Sequence, residues 1–315
     1  MLRYISRRVV YAVFVVWAAY TVTFLLLYQL PSDPVSIMLG GAGGEVAANA
    51  SAAQKAHLAH EYGFDKPAVV QYFVLLVRAF HGDFGQSVQS HVPVAQLIAE
   101  ALPSTLAISS LGLLFALVIG VAIAVGANFT RNAFLRGLLF SLPPLTASFP
   151  TFWVGLVLLQ VFSFRLGWFP AVGNGGFASV VLPALALAIP GAAAYAQVLG
   201  RGIEKTLREP FIDVVRAKGA QRARVHLGHA LRNATIPALT LVGLTVGGIF
   251  AGAVVTETVF SRQGLGRLLQ ASVNTQDIPV VQMLVLVSAV AFAIVNLVVD
   301  LVYPLVDPRI ARPAH

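Results

Sequence analysis

The sequence predicts an all-α integral membrane protein with six transmembrane helices, and three observations predict it. Hydrophobic residues make up 57% of the 315-residue chain and charged residues only 11%. A soluble domain carries roughly 25% charged residues, so this chain lacks the polar surface that a water-soluble globule needs. Six stretches hold no Asp, Glu, Lys or Arg: 9–32, 101–130, 137–164, 166–200, 233–256 and 278–299. Each reaches the roughly 20 residues that a helix needs to cross about 30 Å of hydrocarbon. The third observation is that Lys and Arg fall unevenly on the gaps between these runs, which gives the helices a direction.

The first span is expected at 9–30. Arg3, Arg7 and Arg8 precede it as in a signal peptide, but its core exceeds the roughly 7–15 apolar residues of such a peptide and no cleavage site follows. The remaining spans are expected near 102–127, 137–161, 179–201, 235–258 and 279–301. With the N-terminus inside, the inner gaps collect Arg3, Arg7, Arg8, Arg131, Arg136, the basic residues of 201–232, Arg309 and Arg312, which is 15 of the 21 Lys and Arg. The positive-inside rule then puts both termini in the cytoplasm. The domain plan is a first helix in 1–30, an extracytoplasmic segment 31–100, a five-helix core 101–303 with an inner loop 202–232, and a tail 304–315. The apolar run Ala68 to Phe80 in the outer segment is too short to span and is expected to lie along the membrane or pack on the spans.

Pro143, Pro144, Pro150, Pro183 and Pro190 are expected to interrupt the third and fourth helices, since proline removes a backbone donor. Gly243, Gly247, Gly248 and Gly252 in the fifth give small-residue spacings that let helices approach. Thr146, Ser148, Thr240 and Thr245 are candidates for a polar route, although hydroxyls in helices also bond to backbone. Near mid-membrane no ionisable side chain is expected, where proton-coupled carriers keep their relays. Cysteine is absent, the seven histidines fall in loops or at the terminus, and no metal site is expected. The net charge of +8 is spread over short gaps, not over a soluble basic domain, which argues against nucleic acid.

The inner loop carries seven basic and three acidic residues in 202–232. Pro210 suits the first turn of a short helix and Gly219 the position just past its end. Asp213 lies near the positive pole and Lys218 near the negative one, and Asp213 and Arg216 are spaced to pair. Phe211, Val214 and Val215 are read as the apolar face, and a second helix resumes near Gln221. On physics alone this hairpin is either a solvated topogenic loop or a docking element.

Arg216-Ala-Lys-Gly219 and His229-Ala-Leu-Arg-Asn-Ala-Thr-Ile-Pro237 resemble the EAA loop of binding-protein-dependent ABC importer permeases. Asp213 stands where many members have Glu, and Val214 and Val215 replace the alanines that name the motif. His81-Gly-Asp-Phe-Gly85 with Ser87 and Pro93, Leu102-Pro-Ser-Thr-Leu106, Val259-Phe-Ser261 with Gly264-Leu-Gly-Arg267, and Asp307-Pro-Arg-Ile310 resemble further signatures of its dipeptide/oligopeptide/nickel branch, in order along the chain. The resemblance implies a type I ABC importer permease fold in the plasma membrane of a prokaryote. It also implies a second homologous permease subunit, two cytoplasmic ATPase subunits and an extracytoplasmic solute-binding protein, with membrane lipid around them and no nucleic acid. The cargo it implies is di- or oligopeptide first, with nickel, a glutathione-like compound or another small solute as alternatives. Asp213, Arg216, Ala217, Lys218, Gly219, Ala220, His229 and Arg232 would form the docking surface for an ATPase subunit. No Gly-Lys pair and hence no G-x-x-x-x-G-K-[ST] phosphate loop occurs, so the chain is expected to be no enzyme and to bind no cofactor, ATP and Mg belonging to its partners. Glu257 is the outer-end candidate for meeting a peptide amine or the binding protein, or else for pairing with Arg262 or Arg267. A stand-alone secondary carrier and a membrane scaffold are the rival classes.

Overall fold

A computed structural model describes residues 2–28, 51–53, 56, 59 and 67–306, with the side chains of 2–4, 28, 240 and 302–306 excepted. The Pro31–Pro34 start of the outer segment, His57, His60 and the Asp307–Ile310 signature with the tail from 307 on lie outside the described residues. Among the described residues the longer helices are α1 Leu2–Tyr28, α2 Ala68–Phe80, α3 Val94–Phe129, α4 Ala133–Ala147, α5 Thr151–Leu158 with π-helical turns to Arg165, α6 Ala178–Leu207, α7 Pro210–Ala217, α8 Arg232–Val259, α9 Leu265–Asn274 and α10 Ile278–Val306. Five of them hold stretches long and apolar enough to cross a bilayer, and a sixth crossing arises if α4 and the α5 segment are taken together.

Contacts divide the chain into two compact units. One comprises Met1–Arg8, Ser104–Gly266 and Ile294–His315, the other Val9–Pro103 and Arg267–Ala293.

In the larger unit α6 is the central helix. Of its most apolar window 67% is buried, against 11–33% in the other four. Its sequence explains this: Ala184, Ala186, Ala188, Ala192, Ala193 and Ala196 are all buried. Lipid tails are as apolar as Leu, so helices in a membrane associate through close packing, which small side chains permit. Gly120 of α3 shows how close: a Cβ there would lie 2.6 Å from Cβ of Tyr195 and 3.0 Å from the Ala192 carbonyl. Helices α4, α5 and α8 pack on α6 as well. The larger aliphatic and aromatic residues face outward, as Leu114, Phe134, Phe152 and Leu244 do.

Three expectations change here. The third crossing, expected over 137–161 with interruptions at Pro143, Pro144 and Pro150, runs through Pro143 and Pro144 and breaks only at Pro150, into two helices bent by 108° between Ala147 and Thr151. Pro150 lacks an N–H and disfavours the helical region for Phe149; Pro150 itself is extended, with ψ 139°. The hydroxyls of Thr146 and Ser148 donate to the carbonyls of Pro143 and Pro144 at 3.1 and 3.0 Å, satisfying the end of α4. By contrast α6 runs unbroken through Pro183 and Pro190, because neighbours hold it on several sides and each proline costs only local bonds. The second crossing starts earlier than expected, at Val94, and passes through Pro103.

In the smaller unit α2 packs on α1. The Tyr72 hydroxyl lies 2.7 Å from the Thr21 hydroxyl, and its ring contacts Tyr20 and Phe24 at centroid distances of 5.4 and 5.3 Å. The segment after α2 turns at Gly82 and Gly85, both with positive φ. Asp277, 3% exposed, accepts from the Ser87 hydroxyl at 2.5 Å and the Val88 amide at 3.3 Å. That bond gives the serine of the His81–Ser87 signature a physical reason.

Candidate functional site

The hairpin between α6 and α8 is assembled by local chemistry. Glu209 is extended, with ψ 140°, and Pro210 opens α7 at a position whose N–H would have no helical partner. Two bonds close the helix: the Gly219 amide donates to the Arg216 carbonyl at 2.9 Å and the Ala220 amide to the Val215 carbonyl at 3.3 Å. This is the Schellman pattern, which requires a left-handed residue at its centre; Gly219 supplies it with φ +82°. The chain returns through π-helical turns at Arg224–Leu231 that run directly into α8. Phe129 at the end of α3 holds this return, with the Arg222 guanidinium 5.0 Å from its ring centroid and the His226 ring edge-on at 5.4 Å.

The faces of α7 differ from the expected assignment. Ile212 is the fully enclosed side chain at 0% exposure, whereas Phe211 is 41% and Val214 56% exposed. The anchoring face is therefore Ile212 with half-buried Val215, and Phe211 and Val214 stand outward. Asp213 and Arg216 pair at 3.3 Å on the outward side; so exposed a pair contributes little to stability. Ala217, Lys218, Gly219 and Arg232 are exposed, and Ala220 and His229 are half-buried. Six of the predicted docking residues, from Asp213 to Ala220, lie on α7 and the turn that ends it, while His229 and Arg232 lie on the return into α8. Ile212, Phe129 and His226 were missed, since none carries a sequence signal separating an anchor from any other apolar or basic position.

At the other end of α8 lies a buried polar network. Glu257 is 0% and Arg262 3% exposed. Thr105 donates its hydroxyl to Glu257 Oε1 at 2.5 Å and accepts from the Leu265 amide at 2.8 Å. Arg262 donates through Nη1 to the carbonyls of Gly173 and Ser179 at 3.0 and 2.9 Å and to the Ser179 hydroxyl at 2.9 Å, and through Nη2 to the Ser104 hydroxyl at 3.3 Å. Burial pulls the Arg262 guanidinium below the usual arginine range, and the Glu257 carboxylate opposes that shift. Asn174 and Gln263 exchange two bonds at 3.0 and 3.1 Å. The network ties Ser104 and Thr105 of α3 and the 173–179 segment to the turn after α8. Gly264 is small because a Cβ there would run into the Glu257 carboxylate.

Enclosed in this way, Glu257 meets protein groups, Thr105 and the field of Arg262 among them. The other route candidates do not join it. Thr146 and Ser148 bond within α4, and Thr245 packs where α8 meets Gly191 of α6. Thr240 lies on α8 with its side chain outside the described residues. Among the described residues no group of three or more His, Cys, Asp or Glu is placed to hold a metal.

Apolar helices long enough for five or six crossings, with an amphipathic hairpin between two of them, define a polytopic membrane protein. Residues 112–312 match the family described as "Binding-protein-dependent transport system inner membrane component", and residues 1–109 match the N-terminal region of the same kind of membrane component. The chain belongs to this family: it is a multi-pass ABC importer permease subunit, and the family is not one of enzymes. It is 36% identical over 310 residues to the glutathione transport system permease protein GsiC of Salmonella typhimurium and 35% identical to that of Escherichia coli, covering 98% of this chain and 99% of each relative. Its fold is similar to a chain of the MetNI methionine ABC transporter, at TM-score 0.56 and 18% identity over 67% of this chain and 96% of that one. An amino acid ABC transporter chain gives TM-score 0.51 and 17% identity over 66% and 93%.

Proposed function

We propose that this chain forms one half of the pathway of an importer for short peptides, glutathione-like tripeptides included. A second permease subunit, two cytoplasmic ATPase subunits and an extracytoplasmic binding protein complete that importer. The N-terminus, the C-terminus and the α7 hairpin face the cytoplasm, as the basic residues of the inner gaps favour. ATP and Mg act in the partner subunits, and closure of those subunits is carried into the bundle through α7 and the π-helical turns into α8. This is rigid-body switching between inward- and outward-facing states.

The observation that carries this reading is α7 itself, anchored by Ile212 while Phe211 and Val214 stay exposed beside the Asp213–Arg216 pair. An exposed apolar pair on a polar protrusion suits a protein partner. The peptide assignment is supported by the GsiC relatives, which are named as permeases of a glutathione transport system.

The test is uptake of labelled glutathione and of a tripeptide into vesicles holding the whole complex. Gly219→Pro, or exchange of Asp213 and Arg216 for each other's residue, should abolish uptake while ATPase subunits still hydrolyse ATP. Uptake by the chain alone, driven by an ion gradient, would instead establish the secondary carrier.

A further inference from the structure

The hairpin end of α6 carries two cations with no carboxylate within ion-pair distance among the described residues. Glu204 is occupied twice, by Arg208 Nη2 at 2.8 Å and by Arg136 Nη2 at 3.4 Å, and Arg136 is steadied over the Phe140 ring at 5.7 Å. Arg201 and Lys205 have no ion pair among the described residues, and both are exposed. One helical turn apart, they share a face and line an open cavity of about 370 Å³ together with Glu204, Arg208 and Glu209. Arg201 also lines a second, more enclosed cavity of about 250 Å³. That one is apolar, walled by Ile123 and Ala127 of α3, Phe140 and Pro143 of α4 and Ala196 of α6.

We propose that the two cavities together bind an anionic phospholipid of the cytoplasmic leaflet, its phosphate between Arg201 and Lys205 and the upper part of one acyl chain in the crevice. Arg201 lines both cavities, so a net-positive lining borders an apolar one at a single side chain. An amphiphile is the ligand whose own chemistry changes that way. A soluble anion leaves the crevice unfilled, and an acidic side chain of a cytoplasmic protein meets the cations alone. Three of the five residues lining the open cavity are basic and two acidic, and Glu204 is already held by Arg208 and Arg136, so the lining is net positive and favours an anionic over a zwitterionic headgroup. Basic pockets between helices on the cytoplasmic side are suited to anionic headgroups. The proposal rests on the reading that this end of α6 faces the cytoplasm.

The test is native mass spectrometry of the full chain with its co-purifying partners, titrated with phosphatidylglycerol or phosphatidylcholine. Phosphatidylglycerol should be retained in preference, and R201Q/K205Q should lower its retention on the order of 10-fold, each basic residue near an anionic surface being worth several-fold. The R131Q/R224Q pair removes the same charge at exposed inner positions outside the cavities and should leave retention within about two-fold. Soluble glycerol phosphate should not displace the lipid. Equal retention of the two lipids, equal loss in both double variants, or displacement by glycerol phosphate would each overturn the proposal. If R201Q/K205Q fails to fold, the lipid preference and the competition on the unaltered chain still decide. Because the chain has no cysteine, Lys205→Cys can be labelled alone in intact cells. Reaction with an impermeant reagent from outside would refute the orientation separately, whatever the lipid count shows.

Discussion

Replacing Ile212 by alanine should undock α7 without unfolding the bundle. Ile212 is fully enclosed, and it is the buried residue of an eight-residue helix. Truncating a buried isoleucine to alanine costs about 2–5 kcal/mol. Isolated helices shorter than about 12–15 residues are marginal in water, so α7 has no intrinsic stability to set against that loss. The cost therefore falls on local opening, where 2–5 kcal/mol corresponds to a loss of amide protection of roughly 30-fold to several thousand-fold. Val214→Ala lies on the outward face, and surface substitutions stay within about 0.5 kcal/mol, or about two-fold. Hydrogen exchange of a peptide spanning 209–220 separates the two variants. On the reading above, I212A should also uncouple the complex, with ATP hydrolysis continuing and uptake falling. If V214A exchanged as fast as I212A, the assignment of the anchoring face would be wrong.

Thr105→Val should remove the Leu265 amide's acceptor and one donor from the Glu257 carboxylate, costing about 1–3 kcal/mol for each buried group left short; Thr105→Ser should restore most of the loss in a detergent melting experiment, and a serine variant as weak as valine would refute the hydroxyl's role. Gly120→Val should lower Tm by several degrees, since even a Cβ at that position overlaps Tyr195 and packed interiors resist added volume; unchanged melting would show that α3 and α6 are not in contact there. Arg262→Lys should fail to replace the four bonds made by the two Nη atoms, because an ammonium lacks the planar fork, and faster exchange of residues 260–266 is the expected readout.

Much of the fold is legible because membrane insertion is governed by local composition. The charge-free run at 278–299 marks α10, and the run at 233–256 marks most of α8. The limits of α7 are equally local: Pro210 and Gly219 act through the backbone of their own turns. The prolines show where this ends. Pro150 breaks its helix and Pro183 does not, although both carry the same defect. Pro143 and Pro144 likewise lie within α4 without breaking it, so a proline alone does not decide; the chain at 147–150 is exposed, whereas α6 is enclosed along much of its length.

The site divides in the same way. That 202–232 would project as an amphipathic hairpin follows from its charge density, which lipid excludes, and from its capping residues. That Ile212 faces inward while Phe211 and Val214 do not depends on the π-helical turns against which α7 comes to rest, and no periodicity in eight residues determines a rotation that closely. The sequence leaves Glu257 open between meeting cargo or the binding protein and pairing with Arg262 or Arg267, because it shows the charge and not the neighbours. Thr105, which caps Glu257, is 152 residues away along the chain. Composition and spacing thus determine what crosses the bilayer and what stays out, because each segment meets lipid or water by itself. Contacts between distant segments decide which polar groups are spent on structure, because burial and pairing exist only once those segments meet.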